Sequence, residues 1–139
     1  MRKPILSVLS LALQACAANT GGGGVHPLRP LEIATAPYQG IVTAALAGSL
    51  MYEGNCLLFR DEATKSYLMP VWPIGSSFNG TAVLFHQPSK TDQRIMIAEE
   101  FLMEGQPLQW STLGGATYAP FLNQCGVQPF YVSSVRPAN

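Results

Sequence analysis

The chain of 139 residues carries eight Lys and Arg against eight Asp and Glu, so its formal charge is zero. That length suits one domain with some chain to spare. No segment concentrates basic side chains, which argues against nucleic acid or anionic headgroups as its main ligand.

The amino terminus opens with Arg2 and Lys3, continues as an almost unbroken apolar run from Ile5 to Leu13, and ends in Ala15, Cys16, Ala17 and Ala18. This order is that of a secretory signal, and it assigns residues 1–15 to a segment removed on export. The run is too short to cross ~30 Å of hydrocarbon, which takes roughly 20 residues as a helix. Charges or prolines interrupt every later apolar stretch, so no transmembrane helix is expected in the mature chain.

Leu13-Gln14-Ala15-Cys16 resembles the lipobox of bacterial lipoproteins, where an aliphatic residue stands three places before a cysteine and a small residue just precedes it. The resemblance implies that the Cys16 thiol receives a diacylglycerol, that the chain is cut before Cys16, and that the new amino group is acylated. Several acyl chains make a stable membrane anchor where one holds only marginally, at ~0.8 kcal/mol per buried methylene. With Ala17 rather than an aspartate after the cysteine, the resemblance further implies the periplasmic face of an outer membrane in a Gram-negative source. Ala15-Cys16-Ala17 is also a small-x-small cleavage pattern, and cutting there would release a soluble protein instead.

Removing residues 1–15 takes away two basic residues and no acid, leaving six basic against eight acidic side chains and a charge of −2. With Cys16 assigned to the lipid, the even pair Cys56 and Cys125 remains in an oxidising compartment, and a disulfide is expected. Closing a loop of roughly 70 residues stabilises a fold by about 4 kcal/mol on the chain-entropy model. Neither cysteine has zinc-site spacing, so no metal is expected.

Residues 16–37 read as a flexible tether, with glycines at 21–24 followed by Pro27, Pro30 and Pro37. The glycines form no phosphate loop, because no Lys-Ser or Lys-Thr follows them, and no cofactor is implied. Residues 38–139 read as the folded domain. Its apolar stretches are short and separated by turn residues, the pattern of strands. Expected strands are Leu50 to Tyr52, Cys56 to Phe59, Tyr67 to Trp72, Thr81 to Phe85, Leu108 to Trp110 and Phe130 to Val135. Turns are expected at Gly54-Asn55, Arg60 to Glu62, Pro73 to Ser77 and Asn79-Gly80, the last being the best hairpin signal. Arg94 to Met103 fits two patterns: a helix capped by Asp92 with Ile97 and Phe101 on one face, or a strand pair with Ile95, Ile97 and Glu99 alternating.

Short strands without βαβ spacing predict an all-β fold, a small antiparallel sheet closed into a barrel. Pro70 and Pro73 then belong at a strand end or edge. The order Gly48-Ser49-Leu50, Gly54-Asn55-Cys56-Leu57, Pro70-Val71-Trp72-Pro73, Gly114-Gly115 and Cys125-Gly126 is similar to a class of bacterial envelope domains. Those domains carry a Gly-Cys-Leu-type strand, a Val-Trp-Pro turn, a late Gly-Gly turn and a terminal Cys-Gly. The resemblance implies an OB-like barrel and no particular reaction.

Chemistry-bearing residues are sparse. His86 is the one histidine of the domain and reads as solvated at a strand end, while His26 lies in the tether. The acids from Glu53 to Glu104 sit in turns or polar stretches, and adjacent Glu99 and Glu100 point to opposite faces of a strand. No Gly-x-Ser-x-Gly elbow occurs, and a triad of His86, Asp92 and a serine has no positive support. Trp72, Trp110, Tyr118 and Tyr131 are the candidates for a binding groove, with Trp72 and Trp110 the expected stacking residues. Gly114-Gly115-Ala116-Thr117-Tyr118 is similar to the inhibitory loop of lysozyme-inhibitor lipoproteins, with glycine in place of the leading serine. The reading is thus a non-enzymatic, lipid-anchored envelope module whose partner is an envelope protein or glycan. A lysozyme-inhibitor-like protein and a small hydrolase using His86 are the alternatives.

Overall fold

The computed structural model describes residues 26–138; the signal segment, Cys16 and the glycine run lie outside them. After a two-residue strand, β1 (Thr35–Ala36), the chain makes its first long hairpin from β2 (Ala44–Glu53) and β3 (Cys56–Asp61). Gly54 and Asn55 close it with φ of 57° and 62°. Two left-handed residues in a two-residue loop match the twist of the strands they join, which sets Glu53 opposite Cys56. The next reversal is built by Asp61, whose carboxylate accepts the Ala63 N–H and the Thr64 hydroxyl and turns the chain into β4 (Tyr67–Pro73).

Three short strands follow, β5 (Ser77–Phe78), β6 (Ala82–Phe85) and β7 (Gln93–Met96), forming a separate antiparallel sheet. Asn79-Gly80 turns as expected: Gly80 has φ 95°, and the Asn79 side chain accepts the N–H groups of Thr81 and Ala82. The segment with two readings is a strand pair. It reverses at Ala98, φ 68°, whose N–H reaches the Leu50 carbonyl of β2, and continues as β8 (Glu100–Pro107). Alternation wins there because it buries Ile95, Phe101 and Met103 together.

The stretch after β8 departs from expectation. Leu108 to Trp110 is not a strand; Trp110 begins a short helix, α1 (Trp110–Leu113), and a second helix, α2 (Gly115–Cys125), leads to β9 (Pro129–Pro137). Helix α2 gives little signal in the sequence. Pro120 interrupts its ladder and neither helix has a side-chain N-cap. Tertiary contact supplies what propensity lacks, since Tyr118, Phe121 and Cys125 line one helix face and pack on the sheet.

The larger sheet runs β1-β4-β3-β2-β8-β9, and β4 also pairs with β9, so successive neighbours lead back to the strand they started from. The expected all-antiparallel arrangement is corrected, because β4 is parallel to both β1 and β9. Strand β4 is buried on both faces. Leu68 and Trp72 contact one core with Phe59, Phe85, Phe130 and Val132, while Met69 and Val71 contact a second with Phe121 and Tyr131.

Pro70 lies inside β4 rather than at its end. Trp72 and Ile74 donate to Ala34 and Ala36 of the β1 side, whereas Met69 donates toward β9, so Pro70 nitrogen faces the β1 and β3 side. Pairing with β3 ends at Leu68 and pairing with β1 begins at Trp72. The missing N–H therefore falls in a gap that has no partner to lose.

The tether is shorter than residues 16–37. Leu28, Ala34 and Ala36 are buried, the Leu28 N–H donates to the Gln124 amide oxygen, and the Leu28 carbonyl accepts from Asn55. Prolines 27, 30 and 37 restrict the unfolded chain, and the apolar residues between them give this extended segment a face to bury. Cys56 and Cys125 form the expected disulfide, Cα atoms 5.7 Å apart, joining the start of β3 to the end of α2.

Two glycines permit close strand crossings: a Cβ on Gly48 would overlap the Arg60 carbonyl oxygen, and one on Gly105 the Tyr131 carbonyl oxygen. Gly48→Ala or Gly105→Ala is expected to lower the free energy of unfolding by about 3 kcal/mol, read by urea denaturation. Replacing Cys56 and Cys125 together by alanine is expected to cost about 4 kcal/mol in the same assay.

Candidate functional site

Strand alternation decides the fate of the two tryptophans. Trp72 is 0% exposed and lies edge-on to Phe85 in the first core, with its indole N–H lacking a hydrogen-bond partner. Trp110 is half-buried against the second core and donates its indole N–H to the Val127 carbonyl at 3.0 Å. They sit in different layers and share no groove, so the expectation that Trp72 and Trp110 stack a ligand is corrected.

Tyr118 and Tyr131 are structural as well. The Tyr118 hydroxyl donates to the Thr35 carbonyl at 2.7 Å, from within α2, so Gly114 to Tyr118 forms no projecting loop. The Tyr131 hydroxyl donates to the Pro37 carbonyl and accepts the Gln39 N–H, and burial pushes its pKa up. Ser133 adds a bond to the Gln39 carbonyl. The loop these groups hold presents Tyr38, Ile41 and Val42 to solvent.

His86 directly follows β6 and its Nδ1 lies 2.9 Å from the Asp92 carboxylate, both side chains being substantially exposed. The Ser76 hydroxyl is near, but it accepts the His86 backbone N–H at 3.0 Å rather than meeting the ring. No serine is hydrogen-bonded to the imidazole among the described residues, so the pair braces the β6–β7 connection without a nucleophile. Among the described residues no three His, Cys, Asp or Glu side chains gather to hold a metal.

A concave surface lies elsewhere, between β7 and the carboxyl-terminal half of β9. A depression of about 100 Å³ has Ile95, Phe101 and Val135 as its floor, all nearly buried, and Arg94, Arg136 and Glu99 on its rim. It opens on one side toward Lys90, Asp92 and Ser134 and on the other toward Ala47, Glu100 and Leu102. Arg136 Nε donates to Glu104 at 2.6 Å, which steadies the guanidinium over the β8–β9 pair. Among the described residues the Arg94 side chain has only the Met96 sulfur as a partner, at 3.4 Å. A shallow, mixed-charge depression with an apolar floor suits binding through several weak contacts.

Reading the sequence did not find this surface. Its signal is the alternation Arg94 out and Ile95 in, and Val135 in and Arg136 out, which acquires meaning only once two strands distant in sequence face each other. No protein-family model, curated protein or solved structure matches the chain.

Trp72→Ala is expected to destabilise the fold by about 3–5 kcal/mol, as for a large core truncation. Trp110→Phe should cost only about 1 kcal/mol, one hydrogen bond. Thermal unfolding of both variants checks the contrast.

Proposed function

We propose that the protein is an exported, lipid-anchored envelope module with an OB-like barrel, whose task is to bind another envelope component. The observation that carries this reading is the Cys56–Cys125 disulfide, because such a bond persists in oxidising compartments. It leaves Cys16, in its lipobox-like setting, as the third cysteine and the lipid attachment point. No helix among the described residues is long and apolar enough to cross a membrane, so a lipid at Cys16 would be the means of attachment to the outer membrane's periplasmic face that the sequence offers.

The OB-like assignment is supported by the pairing order β2-β3-β4-β9-β8-β2 with β4 and β9 parallel. Five strands in such an order, with glycines at the tight crossings, suit a small partly open barrel. The binding role rests on the depression between β7 and β9. Eleven residues lie between Cys16 and Leu28, a reach of at most about 40 Å. The domain therefore works close to the bilayer. The chain enters beside the disulfide, where Leu28 is bonded to Asn55 and Gln124, so tension from the anchor falls on the braced part of the fold.

Metabolic labelling with an alkyne palmitate tests the anchor. The wild-type protein is expected to carry the label in the membrane fraction, and Cys16→Ser to lose the label entirely. An unlabelled wild-type protein recovered in the soluble periplasm would overturn the anchor and favour simple cleavage.

A further inference from the structure

We infer that the gap between β7 and the carboxyl-terminal half of β9 is a slot for an extended peptide strand from a partner protein, apolar toward the core and acidic toward solvent. The inference deepens the binding-module reading and does not depend on the lipid.

Backbone parity shows that both strands leave an edge open there. The Ile97 N–H bonds the Thr81 carbonyl, so the odd residues of β7 face β6; the even ones face away, as the bond from Ala98 to Leu50 illustrates. Arg94 N–H and C=O and the Met96 N–H therefore point to the open side, with no hydrogen-bond partner among the described residues. In β9, the bulge opposite Glu104 and Gly105 switches which residues face β8. Beyond it Ser133 turns its carbonyl outward, where the Gln87 amide takes it at 3.2 Å, and Val135 turns its N–H and C=O to the same side. Pairing of β9 with β4 ends at Tyr131, so among the described residues no strand pairs with the outer backbone edge of Val135, whose side chain is buried.

These two edges border one depression, since Arg94 and Val135 both line it. The strands keep their Cα atoms beyond 8 Å over nearly their whole length. A strand inserted between two others requires about 10 Å, twice the ~4.8 Å spacing of neighbours. Edge protection alone accounts for Arg94 on β7 and Pro137 at the end of β9. It does not account for two open edges flanking a shared apolar floor.

The floor and rim define what fits. Every second side chain of an added strand would drop onto Ile95, Phe101 and Val135, and the intervening ones would lie among the exposed rim groups Arg94, Arg136 and Glu99, of which Arg136 is paired with Glu104 and Arg94 is not. Two arginines against the single Glu99 leave the rim cationic on balance, and the unpaired Arg94 on β7 favours Asp or Glu at the outward position beside it. Backbone hydrogen bonds to Arg94 and Val135 supply affinity, and the alternation supplies specificity, the general mode of strand addition.

The test uses the full-length protein in detergent and a capped five-residue peptide, Glu-Val-Glu-Val-Glu, with Lys-Val-Lys-Val-Lys as the control. Fluorescence polarisation should find saturable binding of the acidic peptide, weaker by about tenfold for the lysine peptide and for the Arg94→Glu protein. Residue-resolved hydrogen exchange should find the Arg94 and Val135 amides slowed by about tenfold when peptide is bound, with Ile95 unchanged. Arg94 is exposed, so its substitution should leave the melting temperature unaltered. No saturable binding at millimolar peptide would overturn the slot, as would binding that leaves those two amides unprotected. Protection that grows with protein concentration alone would also overturn it, by placing a second copy there. A partner still crosslinked to the protein in envelopes after such a failure would spare the binding module and sink only the slot.

Discussion

The disulfide between Cys56 and Cys125 joins two parts of the chain covalently, and the amino-terminal segment is hydrogen-bonded beside them. It ties the first residue of β3 to the last of α2, across 69 residues of sequence, beside the point where the amino-terminal segment enters the domain. Helix α2 has a proline within it and no side-chain cap, so as an isolated element it would be marginal. Fixed at one end by the covalent bond, with the Gly126 N–H bonded back to Phe121, it covers the second core. Leu28 and Ala34 complete that cover. A domain of this size has a modest apolar core, and a covalent brace over its thinnest layer supplements what burial alone provides.

Strand β4 is the other point of convergence. It pairs with β1, β3 and β9, and its alternate side chains enter two different cores. That explains why Tyr67 to Pro73 reads as a nearly continuous apolar run rather than a polar–apolar alternation. Two prolines survive in it because their nitrogens face places where pairing has stopped or not yet begun. The same incomplete pairing, repeated on β9 beyond Tyr131, leaves open backbone edges at the surface. Binding potential and structural economy thus have one origin: strands that exchange partners along their length.

The surface this produces is a shallow depression. Its floor is apolar and its charged groups are exposed, with Arg136 steadied by Glu104. The His86–Asp92 pair lies at the end of β6, where it braces the connection to β7. A lipid at Cys16, as proposed, would confine the module to a thin layer beside the membrane and raise the effective concentration of anything else anchored there, so that little affinity per encounter would be needed. Shallow recognition by strand addition suits that setting.

The sequence by itself determined much of the β architecture. Gly54-Asn55 and Asn79-Gly80 demand left-handed or tight turns, and the apolar runs between such turns mark β3, β4, β6 and β9. The parity of the cysteines also pointed to the pair that forms. These features are local or combinatorial, so a single chain read in order can display them. Tertiary structure alone decided the rest. Helix α2 exists because a sheet face and a disulfide receive it, and residues 28–37 fold because a second core needs covering. Trp72 lies inside because β4 has no solvent face, and Arg94 faces Arg136 across a depression because the smaller sheet, turned at Ala98, lies beside β9. Each of those outcomes depends on what lies on the far side of a side chain, and that neighbour is many residues distant along the chain.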